Sequence, residues 1–168
     1  MDFYTTAIAQ GLAFASLALG IFISLRILNL PDITTDGSFT VGAAVTSLII
    51  INEWPVWLAM LASPVAGFIA GSITGYLHTR FRIHALLAGI IVMTGLYSVN
   101  LFLMGQPNIP LIKHTTIFDW LNISADAFIN KLLVLIITAF ALITSLYYFL
   151  KTDFGICMRA LGNSENML

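Results

Sequence analysis

Two carboxylates and a run of hydroxyls are crowded into the segment Pro31-Asp32-Ile33-Thr34-Thr35-Asp36-Gly37-Ser38-Phe39-Thr40-Val41-Gly42-Ala43, between two apolar stretches. Ionisable groups near bilayer depth are costly, so they face a cavity or a partner. Gly37 and Gly42 permit close backbone approach, and Pro31 is expected to stop the preceding helix. One reading is a discontinuous element lining a pathway. The other is an interfacial loop with Asp36 as N-cap of the following helix. The residue types by themselves leave the two in balance.

The elements that must position this segment are set by composition. The chain is 59% hydrophobic and 9% charged, with a mean hydropathy of +0.96. Soluble domains carry roughly 25% charged residues, so the surface must face lipid. A net charge of −1 points away from nucleic acid. The single Cys157 excludes an intrachain disulfide and a cysteine cage for metal. His78, His84 and His114 show no metal spacing. Met1-Asp2-Phe3 lacks the basic start of a signal peptide, so the first apolar stretch is expected to be retained. With no polar half and no Gly/Ser linker, residues 1–168 form one expected membrane domain.

Five apolar stretches are visible: Ala7–Leu25, Gly37–Ile51, Val56–Leu77, Ala85–Met104 and Leu132–Leu150. A spanning helix needs about 20 residues, so the second stretch is short and is expected to be a short or broken membrane segment. The fold class is thus all-α, a polytopic bundle of four to five membrane segments. Arg80 and Arg82 place their loop in the cytoplasm by the positive-inside rule. Loop 105–130 then lies outside and Lys151–Leu168 inside. The N-terminus is outside if the second stretch spans, and inside if it is re-entrant.

Gly67, Gly71 and Gly75 repeat at four-residue spacing, the small-residue pattern by which helices approach in lipid. That face is expected to pack within the subunit or across a dimer. Pro64 is expected to kink the same helix. Thr94, Tyr97 and Ser98 share one arc of the fourth helix, with Asn100 on its flank. They either line a polar route or form interhelical hydrogen bonds. Outside, Thr115–Leu121 reads as a short interfacial helix capped by Thr115 or Thr116.

At the cytoplasmic end, Asp153 is the expected N-cap and Gly162 the residue just past the end of a short helix. Phe154, Met158 and Leu161 fall on one face, with Arg159 off that stripe. Such a helix suits docking into a partner's groove or lying on lipid. Ser164 and Glu165 then resemble the start of another helix, so the sequence is expected to be a piece of a longer protein.

The stretch Ile27–Phe39 closely resembles a signature of bacterial ABC-importer permeases of the branched-chain amino acid and sugar permease superfamily. The nearest group includes systems linked to tryptophan or tyrosine uptake. The ending Phe154-Gly155-Ile156-Cys157-Met158-Arg159-Ala160-Leu161-Gly162-Asn163-Ser164 resembles that superfamily's cytoplasmic coupling segment. The resemblance covers the whole chain, but only the first half to two thirds of a typical member. It implies a multi-pass, non-enzymatic permease subunit in a bacterial plasma membrane, taking up amino acids or similar small organic solutes. It also implies a homodimer of permeases, an ABC ATPase subunit inside, a substrate-binding lipoprotein outside, and no cofactor. No Walker loop occurs in the sequence. On this reading Asp32, Asp36, Gly37 and Ser38 shape the pathway. The coupling segment 151–163 docks the ATPase through Phe154, Gly155, Met158, Arg159, Leu161 and Gly162. The rival readings are an ion-coupled small transporter or channel with Asp32 or Asp36 as its ion site, and a structural membrane protein assembled through Gly67.

Overall fold

A computed structural model describes residues 2–111, 117–120 and 127–163. The elements are α1 (Asp2–Phe22), continued by a π-helical turn over Ile23–Ile27, then α2 (Thr34–Ile51), α3 (Val56–Phe81), α4 (Ala85–Met104), α5 (Ile117–Trp120), α6 (Ala127–Phe149) and α7 (Asp153–Asn163). The fold is all-helical among the described residues, and five helices have the length and composition to cross a membrane. α2 is one of them. It is unbroken and 18 residues long; it starts at Thr34, before the apolar run becomes visible, where the Asp32 carboxylate accepts from the Thr34 N–H. The expected caps at Thr115, Thr116 and Ser164 lie outside the described residues, as do the apolar Leu121 and the residue Glu165.

The chain divides into two compact units, one of residues 1–30 with 118–168 and the other of residues 31–117. In the second, α2 packs on both α3 and α4. Its buried stripe is Thr34, Gly37, Val41, Ala44, Ser47 and Ile50. α3 contributes Ala59, Ala70 and Thr74, and α4 contributes Ala85, Ala88, Gly89, Val92 and Asn100. These are mostly small residues, because in lipid the contact is made by close van der Waals approach rather than by excluding water. The hydroxyls of Ser38, Thr40, Thr46 and Ser47 donate to carbonyls three or four residues back in α2, which leaves few unsatisfied donors inside the bilayer.

α3 runs uninterrupted through Pro64. Its packed row passes through Ala70 and Thr74. Gly67 lies beside Ser38, whereas nothing lies within 4 Å of where a Cβ on Gly71 or Gly75 would stand. Within this unit, then, the Gly67–Gly71–Gly75 row is only partly the packing face. The α2–α3 turn closes with Glu53 in the left-handed region at φ 57°. Glu53 N–H donates to the Ile50 carbonyl and Trp54 N–H to the Ile49 carbonyl, both at 3.1 Å, the double bond that ends many helices. At the other end His78 Nδ1–H donates to the Ile83 carbonyl at 2.7 Å, fixing the turn into α4.

In the first unit α1 packs on α6, and the π turn meets α7. The winding changes at Ile23, well before Pro31: Leu28 N–H donates to the Ile23 carbonyl at 3.0 Å, and Leu30 N–H to the Ser24 carbonyl at 3.1 Å. Ser24 Oγ closes the end by donating to the Leu30 carbonyl at 2.8 Å. Pro31 therefore follows a helix end already made by the π turn and by Asn29 at φ 54°.

Candidate functional site

The chemistry-bearing residues form three places. The first is the start of α2. Asp32 Oδ1 accepts from Thr34 N–H at 2.8 Å and from Thr34 Oγ1–H at 2.5 Å. The capping carboxylate is thus Asp32, two residues before the helix, and not Asp36. A side chain two positions back from Thr34 can curl onto that residue's N–H, whereas Asp36 already lies within the first turn. Thr34 is 1% exposed and accepts in turn from Thr74 Oγ1–H of α3 at 2.9 Å. α4 lies against this knot at Gly89, where a Cβ would stand 3.0 Å from Asp32 Oδ1 and 3.2 Å from Ile33 N. Asp32, Thr34, Thr74 and Gly89 therefore lock three helices together at one end of the unit.

The other residues of the expected pathway set are dispersed around α2. Gly37 faces α4, with Met93 and Leu96 within 3.5 Å of its would-be Cβ, and Ser38 faces Gly67 of α3. The half-buried Asp36 carboxylate has no hydrogen-bond or ion-pair partner among the described residues. It is favoured where it stands by the positive end of the α2 dipole.

The second place is a cavity of about 410 Å³ between α2 and the C-terminal part of α4, lined by Phe39, Thr40, Ser47, Tyr97, Asn100 and Met104 among others. Asn100 is 8% exposed and its Nδ2 reaches Thr40 Oγ1 at 3.4 Å. Its Oδ1 is buried without a partner. Thr94 and Ser98, by contrast, return their hydroxyls to their own helix. Sequence reasoning placed Asn100 only on the flank of a polar arc. The signal available was an amide one turn beyond Tyr97, but its partner Thr40 is 60 residues away.

The third place is α7. Thr152, not Asp153, is its cap: Thr152 Oγ1 accepts from Gly155 N–H at 3.5 Å and the Thr152 carbonyl from Ile156 N–H at 3.0 Å. Gly162 is inside the helix rather than beyond it. Two glycines seat the helix. A Cβ on Gly155 would lie 2.5 Å from Leu150 Cα, and one on Gly162 would run into the Ile27 carbonyl oxygen. Met158 is half-buried, while Phe154 and Leu161 are 77% and 39% exposed. Arg159 and Arg26 share a cavity of about 680 Å³ with Asn29 and Asn163. So of the six residues expected to dock a partner, Gly155 and Gly162 face inward, and Phe154 and Leu161 form the open apolar face. No cluster of His, Cys, Asp and Glu suited to a metal occurs among the described residues.

Comparison with known proteins matches residues 3–168 to the family model for the permease component of branched-chain amino acid transport systems. The chain is 34% identical over 163 residues to a tyrosine transport system permease protein of Clostridioides difficile (strain R20291), a match covering 97% of this chain and 53% of that protein. It is 35% identical over 168 residues to an uncharacterized protein of Rickettsia prowazekii (strain Madrid E), covering 100% and 58% respectively. The chain spans about half the length of these curated relatives. No solved structure matches it significantly.

Proposed function

We propose that this chain, which belongs to the family of branched-chain amino acid transport permease components, is the membrane-spanning part of an ABC-type uptake system for amino acids or similar small organic solutes. A partner ATPase supplies the energy, an extracytoplasmic binding protein delivers the solute, and two permease subunits form the pathway in a bacterial plasma membrane. The permease itself carries no catalysis. The relative's name, a tyrosine transport system permease, points to tyrosine as the first solute to try.

The observation that carries the coupling role is the open face of α7. Phe154 and Leu161 are exposed on a helix seated by glycine contacts against Leu150 and Ile27. A helix held this closely transmits a push from its outer face to the end of α1 and to α6. With Arg80, Arg82 and Lys151 on the cytoplasmic side, α2 and α4 run outward, α3 and α6 inward, and α1 starts outside. Asp36 then lies near the cytoplasmic end of the pathway and Asn100 toward its outer half.

The test is uptake of radiolabelled amino acids into cells carrying the intact system, with co-purification of the ATPase. Phe154→Ala combined with Leu161→Ala is expected to abolish recovery of the ATPase and to reduce uptake at least tenfold, with normal membrane insertion, because buried aromatic anchors dominate interfaces. Unchanged ATPase recovery would return α7 to a role on the lipid surface. Absence of ATP-dependent uptake of any amino acid by the unaltered system would sink the transport reading.

A further inference from the structure

We infer that the cavity between the π turn at the end of α1 and the C-terminal part of α7 is a binding site for the phosphodiester head of an anionic phospholipid, held between Arg26 and Arg159. On the orientation proposed above, this end of α1 lies at the cytoplasmic leaflet. Basic pockets between membrane helices on that side take anionic head groups.

Charge defines what the cavity lacks. Arg26 and Arg159 line it together with Asn29 and Asn163, and polar groups make up most of its wall. Both arginines are exposed, within reach of a ligand from outside. No carboxylate lines the cavity, and neither arginine has an ion-pair partner, among the described residues. The acidic residue of α7, Asp153, lies in the first turn of that helix, about 9 Å along its axis from Arg159. The carbonyl ends of the π turn and of α7 offset about half a charge each, which leaves roughly one of the two positive charges unmet. A phosphodiester supplies one negative charge, and its oxygens match the planar fork of a guanidinium.

Apolar surface beside the arginines points to a phosphate carried by a lipid. Phe22 and Leu25 line the same cavity and are exposed, and on a membrane-spanning α1 that surface meets acyl chains. A free phosphate gains nothing from it. A choline or ethanolamine head would bring an ammonium with no carboxylate to meet it, so the cavity selects a head of net negative charge. Its volume of about 680 Å³ falls within the usual range for small-molecule sites. The two arginines stand on elements that touch: Gly162 packs on the Ile27 carbonyl, and Gly155 on Leu150. A head group bridging Arg26 and Arg159 therefore ties α7 to the end of α1.

Phosphatidylglycerol and phosphatidylcholine with identical acyl chains serve as the probes. The full-length protein with its natural partners is purified in mild detergent, incubated with equal amounts of the two, and the lipid it retains is measured by mass spectrometry. Each arginine near an anionic head is worth about fivefold in binding. The unaltered protein is thus expected to favour phosphatidylglycerol by roughly tenfold or more, and Arg26→Gln and Arg159→Gln each to lower that preference about fivefold. Arg80→Gln, in the other unit, is expected to leave it unchanged. A phosphatidylglycerol with a photoactivatable head is expected to crosslink to the unaltered protein within residues 22–29 or 159–163. Equal retention of the two lipids would overturn the site, as would a preference that survives both substitutions or falls equally with Arg80→Gln. Crosslinks confined to other segments would do the same, and they decide the matter if the variants fail to reach the membrane. Displacement of the lipid by millimolar inorganic phosphate would mean that the phosphate comes from solution, and would overturn the lipid. Loss of ATPase recovery in Arg159→Gln with phosphatidylglycerol retention unchanged would mean that Arg159 answers a carboxylate of the partner, and would equally overturn it. Any of these failures with amino acid uptake intact removes only the lipid site; loss of all amino acid uptake by the unaltered system removes the transport reading and leaves the lipid measurement standing.

Discussion

Replacing Asp32 by Ala should damage the α2–α3–α4 unit more than replacing Asp36 by Ala. Asp32 Oδ1 holds both the backbone N–H and the hydroxyl of Thr34, so its removal has two consequences. Loss of the helix cap costs about 0.5–2 kcal/mol. The Thr34 hydroxyl, on a residue 1% exposed, then loses its acceptor, and an unsatisfied buried donor costs about 1–3 kcal/mol. Thr74 offers partial relief at most: to accept from Thr34, its own hydroxyl, now the donor, must turn to the Ala70 carbonyl at 3.4 Å. Together the loss is about 1.5–5 kcal/mol. Asp36→Ala removes no hydrogen bond among the described residues and weakens only the dipole contact, about 0.3–1 kcal/mol. The assay is thermal loss of the monodisperse protein in mild detergent, repeated in a Thr34→Val background. There the hydroxyl is absent, and Asp32→Ala should cost only the cap. A coupling between the two substitutions of about 1 kcal/mol or more is expected. Additive effects, or a larger loss from Asp36→Ala than from Asp32→Ala, would refute the assignment of the cap.

Gly89→Ala should destabilise the same unit by about 1–3 kcal/mol, because its methyl would stand 3.0 Å from Asp32 Oδ1 and 3.2 Å from Ile33 N; the same melting assay checks it, with Gly95→Ala, where nothing lies within 4 Å, as a near-neutral control. Gly162→Ala should lift α7 from the Ile27 carbonyl, seen as faster amide exchange or proteolysis over 153–163, and slow exchange unchanged from the parent would count against the seating of α7. Cysteines introduced at Thr79 and Gln106, in a Cys157→Ser background, should be labelled by an impermeant reagent in intact cells only at Gln106; the reverse pattern would invert the proposed orientation.

Much of the architecture is written in one dimension. The lipid-facing class, the five apolar stretches and the amphipathic α7 follow from local composition and helical period, because apolar length and the i, i+4, i+7 repeat need no long-range contact to be read, whereas the full length of α2 does not show in its apolar run. The resemblance carried by Ile27–Phe39 and by Phe154–Ser164 pointed to the permease family, and the family match over residues 3–168 bears it out. What the sequence could not decide was which of two similar groups does a given job. Asp32 and Asp36 both suit a cap, and only the backbone path after the π turn puts Asp32 over Thr34. Gly155 and Gly162 lie beside Phe154 and Leu161 in the sequence, but contacts with Leu150 and Ile27 turn the glycines inward and leave the apolar residues open. The orphan carbonyl of Asn100 exists only because Thr40, 60 residues earlier, has already given its proton to Gly37. Local patterns settle which segments are helices. The assignment of one hydrogen-bonding group to another depends on distances between helices, and those belong to the tertiary structure.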